Sequence, residues 1–131
     1  MFRLATIGVT FALLAASACG GGGTLSKEEL QKQFAGIQSL AAEGALVADG
    51  VADGRTTETF TSVHSLYLTE AARKVETNLR AAEAPAPAVN LAGQVADDLE
   101  RLHEQPNDPA LARRLREQLE QYAVEAEERA K

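Results

Sequence analysis

The stretch LSKEELQKQFAGIQSLAAEGALVADG, residues 25–50, decides the fold class. It begins as a fully specified helix start. Ser26 stands as N-cap with Glu29 three residues later, the reciprocal arrangement of a capping box, and Leu25 and Leu30 hold the two positions of a hydrophobic staple. Beyond it Leu30, Phe34, Ile37, Ala41, Ala45 and Ala48 recur every three or four residues, the spacing of one helix face. The pattern fades through VADGVADG (47–54), where Gly54 is a natural stop. A long helix with one apolar stripe must bury that stripe against other helices.

The segments that follow supply them. Thr56 or Thr57 can cap a second helix, with Glu58 well placed in its first turn. Its apolar positions, Phe60, Val63, Tyr67, Ala71, Val75 and Leu79, are read as the buried stripe, and APAPA (84–88) ends it near Glu83. The first two helices have matched lengths and a short turn, which favours an antiparallel hairpin. A third helix carries Leu91, Val95, Leu99 and Leu102. A fourth starts at Asp108 as N-cap with Pro109 at its first position and repeats Leu111, Leu115, Leu119, Tyr122 and Ala126. Arg113 to Glu117 and Arg116 to Glu120 are spaced for ion pairs along it. The expected fold is all-α, an antiparallel four-helix bundle with up-down-up-down connections, over residues 25–131. Gly36 and Gly44, eight apart on the first helix, each cost about 1 kcal/mol relative to Ala, which predicts a neighbouring helix pressed against them. The tail EQLEQYAVEAEERAK (117–131) reads as a solvated face, with a strip for a partner helix as the alternative.

Bundles often house metals and haem, each with a recognisable ligand set. A di-iron carboxylate bundle needs two Glu-x-x-His pairs. Glu100 and His103 form one, but the other histidine, His64, has Thr61 three residues before it. No C-x-x-C-H motif is present, and the single methionine is Met1. Nothing resembles a nucleophilic triad or a G-x-S-x-G turn. Asp49 and Asp53 lie four apart but lack the Asp-x-Asp-x-Asp-Gly core of a calcium loop. The expectation is a protein that is not an enzyme, with no cofactor and no metal. With 19 acidic residues against 13 basic, nucleic acid is not an expected partner. His64, Tyr67 and Glu43 are the residues placed to contact a small ligand, if the bundle holds one.

The N-terminus gives an address. After Arg3 comes an uncharged run from Leu4 to Ala18, shorter than the roughly 20 residues that span a bilayer as a helix. A basic start, an apolar run and a small-residue end describe a secretory signal peptide. Ala16, Ser17 and Ala18 then precede the one cysteine, Cys19, and four glycines. This stretch, about the first 20 residues, resembles the lipobox of bacterial lipoproteins, with Ala16 where leucine is commonest. Ala-Ser-Ala also suits the ordinary signal peptidase, but a secreted protein rarely keeps a lone thiol. The resemblance implies cleavage by signal peptidase II between Ala18 and Cys19 and conversion of the Cys19 thiol to a diacylglyceryl thioether. Two acyl chains hold far better than one.

The expected organisation is a signal peptide (1–18), a lipidated cysteine with a flexible glycine tether (19–24) and the bundle (25–131). Loss of Arg3 would move the net charge from −6 to −7. Gly20 lacks the aspartate that retains lipoproteins at an inner membrane. The expected location is therefore the periplasmic side of the outer membrane in a Gram-negative cell, or the outer leaflet of the plasma membrane in a Gram-positive one. Two roles follow: an interaction or structural module docking another envelope protein, marked by an exposed apolar patch, or a small-ligand or metal-binding bundle, marked by a cavity with converging polar groups.

Overall fold

Three of the four helices begin at a side-chain cap. The computed structural model describes residues 25–131, folded as α1 (Lys27–Ala52), α2 (Glu58–Ala81), α3 (Ala86–Glu104) and α4 (Pro109–Ala130), with no strand among the described residues. The signal peptide, Ala18 and Cys19 lie outside that range. The Ser26 hydroxyl accepts from the Glu29 amide at 3.1 Å while the Ser26 amide donates to the Glu29 carboxylate at 2.8 Å, so the capping box is complete. Thr57, not Thr56, caps α2 through the Phe60 amide, and Asp108 caps α4 through Leu111. Gly54 terminates the first turn region with φ 68°, a left-handed value that glycine adopts at little cost.

The helices form a four-helix bundle in which α1 runs along α4 and α2 along α3. Cross-links show antiparallel neighbours: Asp49 meets Arg116, Glu43 meets His64, and Arg73 meets Asp97 and Glu100. The expected hairpin of α1 with α2 exists, but its contact is minor; the extensive partner of α1 is the last helix. The cross-section is also flattened. The diagonal pair α1 and α3 touch, while α2 and α4 share no packing surface.

Gly44 makes that diagonal contact possible. A Cβ built on it would lie 2.5 Å from Leu99 Cδ2 and 3.3 Å from Leu119 Cδ1, so α3 and α4 both press leucines onto the bare backbone of α1. Gly36 differs from the expectation: nothing lies within 4 Å of its absent side chain, and no neighbour explains it. Around this contact sits a core of leucine and alanine, with Phe34, Ile37, Leu68, Leu79, Leu91, Leu99, Leu102, Leu115 and Leu119 buried. The stripes expected for α1, α3 and α4 point inward, Tyr122 and Leu30 being half-buried at the margin.

Of the stripe expected for α2 only the C-terminal part does, with Leu79 buried and Val75 half-buried. Phe60, Val63 and Tyr67 are 51%, 65% and 66% exposed, while Thr61, Ser65, Leu68, Thr69, Ala72 and Leu79 face the core. The helix is turned by about a quarter of a revolution from the expected orientation. Hydroxyls can be buried here because each finds an acceptor within its own helix or in the turn just before it. Ser65 donates to the Thr61 carbonyl, Thr69 donates to the Ser65 carbonyl at 2.7 Å, and Thr61 donates to Thr56 Oγ1 at 3.2 Å. Small, self-satisfied side chains let α2 lie close to α3 while Leu68 and Leu79 fill the interior. Ion pairs then fix the turn: Arg73 reaches Asp97 at 2.6 Å and Glu100 at 3.0 Å across the seam. Arg116 departs from its expected partner Glu120 and binds Asp49 at 2.9 Å. No Arg113–Glu117 pair forms among the described residues.

Unfolding by urea, followed by helical circular dichroism, checks these contacts. Gly36→Ala is expected to stabilise by about 0.5 to 1 kcal/mol, because it adds helix propensity in open space. Gly44→Leu is expected to cost about 2 kcal/mol or more, since the notch is already filled. In dilute solution, Leu68→Ala is expected to cost about 2 to 5 kcal/mol. Tyr67→Ser should then change stability by less than about 0.5 kcal/mol.

Candidate functional site

The displaced apolar side chains of α2 assemble into a surface. Phe60, Val63 and Tyr67 follow one another at three- and four-residue spacing, and Ala71, Lys74 and Asn78 continue the same stripe. Phe60 is held in place. Its ring stacks on His64 with centroids 5.4 Å apart and planes within 11°. His64 Nε2 in turn donates to Glu43 Oε1 of α1 at 2.9 Å. An aromatic anchor fixed by a second ring and a carboxylate loses little side-chain freedom when something covers it. Scattered exposed hydrophobic residues are ordinary, but one valine and two aromatic side chains in a row along a single helix face form a contiguous apolar strip.

The ligand-contacting trio expected from sequence is therefore partly brought together. Glu43 and His64 are hydrogen-bonded partners, each partly exposed, and Tyr67 lies farther along on the open face. Their polar atoms do not converge on a cavity. A concavity lies elsewhere, an open groove between α1 and α4 lined by Ala42, Ala45 and Ala123 and by the exposed Leu46 and Val124. Asp49 and Arg116 sit at one end of it, already paired with each other, and Arg55 holds the second oxygen of Asp49 at 2.8 Å. Asp53 joins the same cluster, 3.2 Å from Arg55, so the two aspartates of VADGVADG serve an ion-pair corner between α1 and α2.

Glu100 and His103 also turn apart. Glu100 binds Arg73, whereas His103 Nδ1 donates to the Ser62 carbonyl at 2.7 Å. Among the described residues no three histidine, cysteine, aspartate or glutamate side chains gather as a metal-binding group, and no helix is long and apolar enough to cross a membrane. No known protein family, no curated protein and no solved structure matches this chain.

Asp98 is the group sequence reasoning missed. It lies 94% buried on the inner side of α3, Oδ2 has no hydrogen-bond partner, and Oδ1 meets only the Arg101 guanidinium at 3.8 Å. Burial pushes its carboxyl up to about 6, with Asp97 adding to the rise and Arg101 opposing it. Tyr122 on α4 is raised too, first by its own burial and then by the Asp98 charge. The neighbour Asp97, which is solvent-facing and paired with Arg73, gave no hint in sequence that the adjacent aspartate faces inward.

A pH dependence follows. The folded chain holds the Asp98 proton more tightly than the unfolded chain, so the extra stability is complete below about pH 4 and is lost as pH rises through about 6. That loss is at most about 3 kcal/mol. Asp98→Asn is expected to remove this decline and to raise stability at pH 7 by about 1 to 3 kcal/mol. Thermal unfolding of both chains at pH 4, 5, 6 and 7 measures the difference.

Proposed function

We propose that this protein is a bacterial envelope lipoprotein, anchored through acylated Cys19, whose acidic helical bundle works by docking a protein rather than by catalysis. The observation that supports the docking role is the outer face of α2, where Phe60, Val63 and Tyr67 stand exposed on a bundle whose core is otherwise well filled. A helix that presents aromatic side chains at helical spacing offers the anchors that protein interfaces use most. A net charge of −6, with Arg113, Arg114 and Arg116 standing on a helix that also carries Glu117 and Glu120 and with Arg116 held by Asp49, argues against nucleic acid as the docked partner. Support for the anchor is the Ala16-Ser17-Ala18-Cys19 stretch behind an uncharged run. The bilayer and one further envelope protein are then the partners, with no cofactor required.

A small-ligand role would use the open groove between α1 and α4. Its alanine floor offers apolar contact, but the charged groups at its end are consumed by the Asp49–Arg116 pair. That leaves few free polar groups to orient a ligand, and the α2 face is the better supported site.

Two measurements test the reading separately. The Cys19→Ser chain is expected to leave the membrane fraction for the soluble one; retention in the membrane would remove the lipoprotein assignment. A photo-crosslinking residue at position 63 is expected to capture a protein in intact cells, while the same residue at Gln118, on the exposed side of α4, captures none. Equal capture, or none at either position, would remove the docking role.

A further inference from the structure

We infer that the bundle is built as two helix pairs, α1 with α4 and α2 with α3, which part at the end where α1 begins, and that a proton on Asp98 holds them closed. The device is separate from the docking face, which α2 carries on its outer side.

Connectivity supplies the hinge. Each pair is packed along its length, whereas α1 meets α2, and α3 meets α4, only lightly. Both links that join one pair to the other, 53–57 and 105–108, lie at the same end of the molecule, because α1 and α3 run in the same direction. The opposite end holds the α2–α3 turn, which belongs to a single pair, together with the start of α1 and the end of α4. Among the described residues no connection crosses between the pairs there.

Polar contacts follow the same division. Asp49 binds Arg116 inside one pair; Arg73 binds Asp97 and Glu100, and His103 binds the Ser62 carbonyl, inside the other. Among the described residues, the one side-chain hydrogen bond between helices of different pairs is His64 to Glu43, at a partly exposed site. Across the interior the pairs meet through apolar contact, as where Leu99 lies on the backbone of Gly44.

Asp98 stands on this boundary. Tyr122 of α4 feels its charge, and it shares one line of α3 with the buried Leu91, Val95 and Leu102, spaced every three or four residues. Its Oδ2 has no hydrogen-bond partner. The charged groups nearby are poorly placed to compensate. On α3, Arg101 stays 3.8 Å away and Asp97 repels. On α1, Glu43 is held by His64 and Asp49 by Arg116; on α2, Arg73 is held by Asp97 and Glu100. From α4 come the Tyr122 phenol and the Glu125 carboxylate beside it. A carboxylate left so is stabilised by water. Since each pair is tied internally, water reaches Asp98 by parting the pairs, not by unwinding a helix.

The direction with pH follows. The closed form holds the proton up to about pH 6, and the open form, with Asp98 solvated, only to about pH 4. The open population is therefore lowest below about pH 4, rises between those limits and levels off above them, a gain of at most about a hundredfold.

Thiol trapping in the full chain reads the opening, with Cys19→Ser removing the chain's own thiol. Leu91→Cys probes the end that parts and Leu102→Cys the end that is hinged, each on the line of Asp98. Every rate is divided by that of the same variant carrying Asp98→Asn at the same pH, which cancels the titration of the thiol itself. From pH 4 to pH 7 the ratio for Leu91→Cys is expected to rise about tenfold or more. For Leu102→Cys it should change by less than about twofold, with helical circular dichroism constant. Val95→Cys, nearly the size of the residue it replaces, should follow Leu91→Cys and decides the matter if that variant does not fold. An equal rise at both ends would mean that the whole fold loosens, and overturns the hinge. No rise at 91 and 95 overturns the opening itself.

Discussion

Leu99 and Leu119 converge on the backbone of Gly44, and the shape of the bundle depends on that meeting. Even a methyl at position 44 would force the Leu99 side chain to shift and crowd Leu119, and a large side chain there would hold α3 and α4 away from α1. Much of the core is alanine: Ala41, Ala45, Ala48, Ala72, Ala88, Ala92, Ala96, Ala112 and Ala126 are all buried. Such a core reaches normal packing density only if the helix axes come close. The glycine permits the diagonal contact, the diagonal contact flattens the bundle, and flattening draws α4 against α1 and leaves α2 paired chiefly with α3.

That arrangement explains why α2 carries its aromatic side chains outside. With α4 out of reach and α1 only grazing it, α2 has one extensive neighbour and needs one inward face. Ser65 and Thr69 satisfy their hydroxyls within the helix, Thr61 does so on Thr56 just before it, and all three remain compact, so the face they make with Leu68, Ala72 and Leu79 suits a close neighbour better than two aromatic rings would. The rings are left on the solvent side, and the His64 stack with its Glu43 partner keeps Phe60 ordered there. The face read here as functional is a by-product of how the small residues pack.

Most of the fold was legible in the sequence, because caps and periodicity are local. The capping box at Ser26, the stop at Gly54, the Asp108–Pro109 start and the stripes of α1, α3 and α4 need no knowledge of the rest of the molecule. The orientation of α2 was not legible in this way. Hydropathy counts a threonine as polar wherever it stands, and it cannot register that the hydroxyl will bond to a carbonyl one turn earlier. Two candidate faces existed on that helix, and tertiary packing chose the less hydrophobic one. The same blindness hid Asp98, whose burial depends on which side of α3 meets α4. Of the trio His64, Tyr67 and Glu43, the pairing of Glu43 with His64 depends on two helices lying alongside, and the exposure of Tyr67 depends on which face of α2 packs inward.

The position of the α2 stripe relative to the start of α1 has a consequence for orientation. The first residue of α1 lies level with the C-terminal end of α2, since Glu43 stands beside His64 and the helices run in opposite directions. The leading end of α1 therefore stands at one pole of the bundle, about 40 Å from the α1–α2 turn. Phe60 and Val63 lie in the half of the bundle away from that pole. Whatever holds the chain by its leading end meets the α2–α3 turn first and leaves Phe60 and Val63 facing outward beyond it.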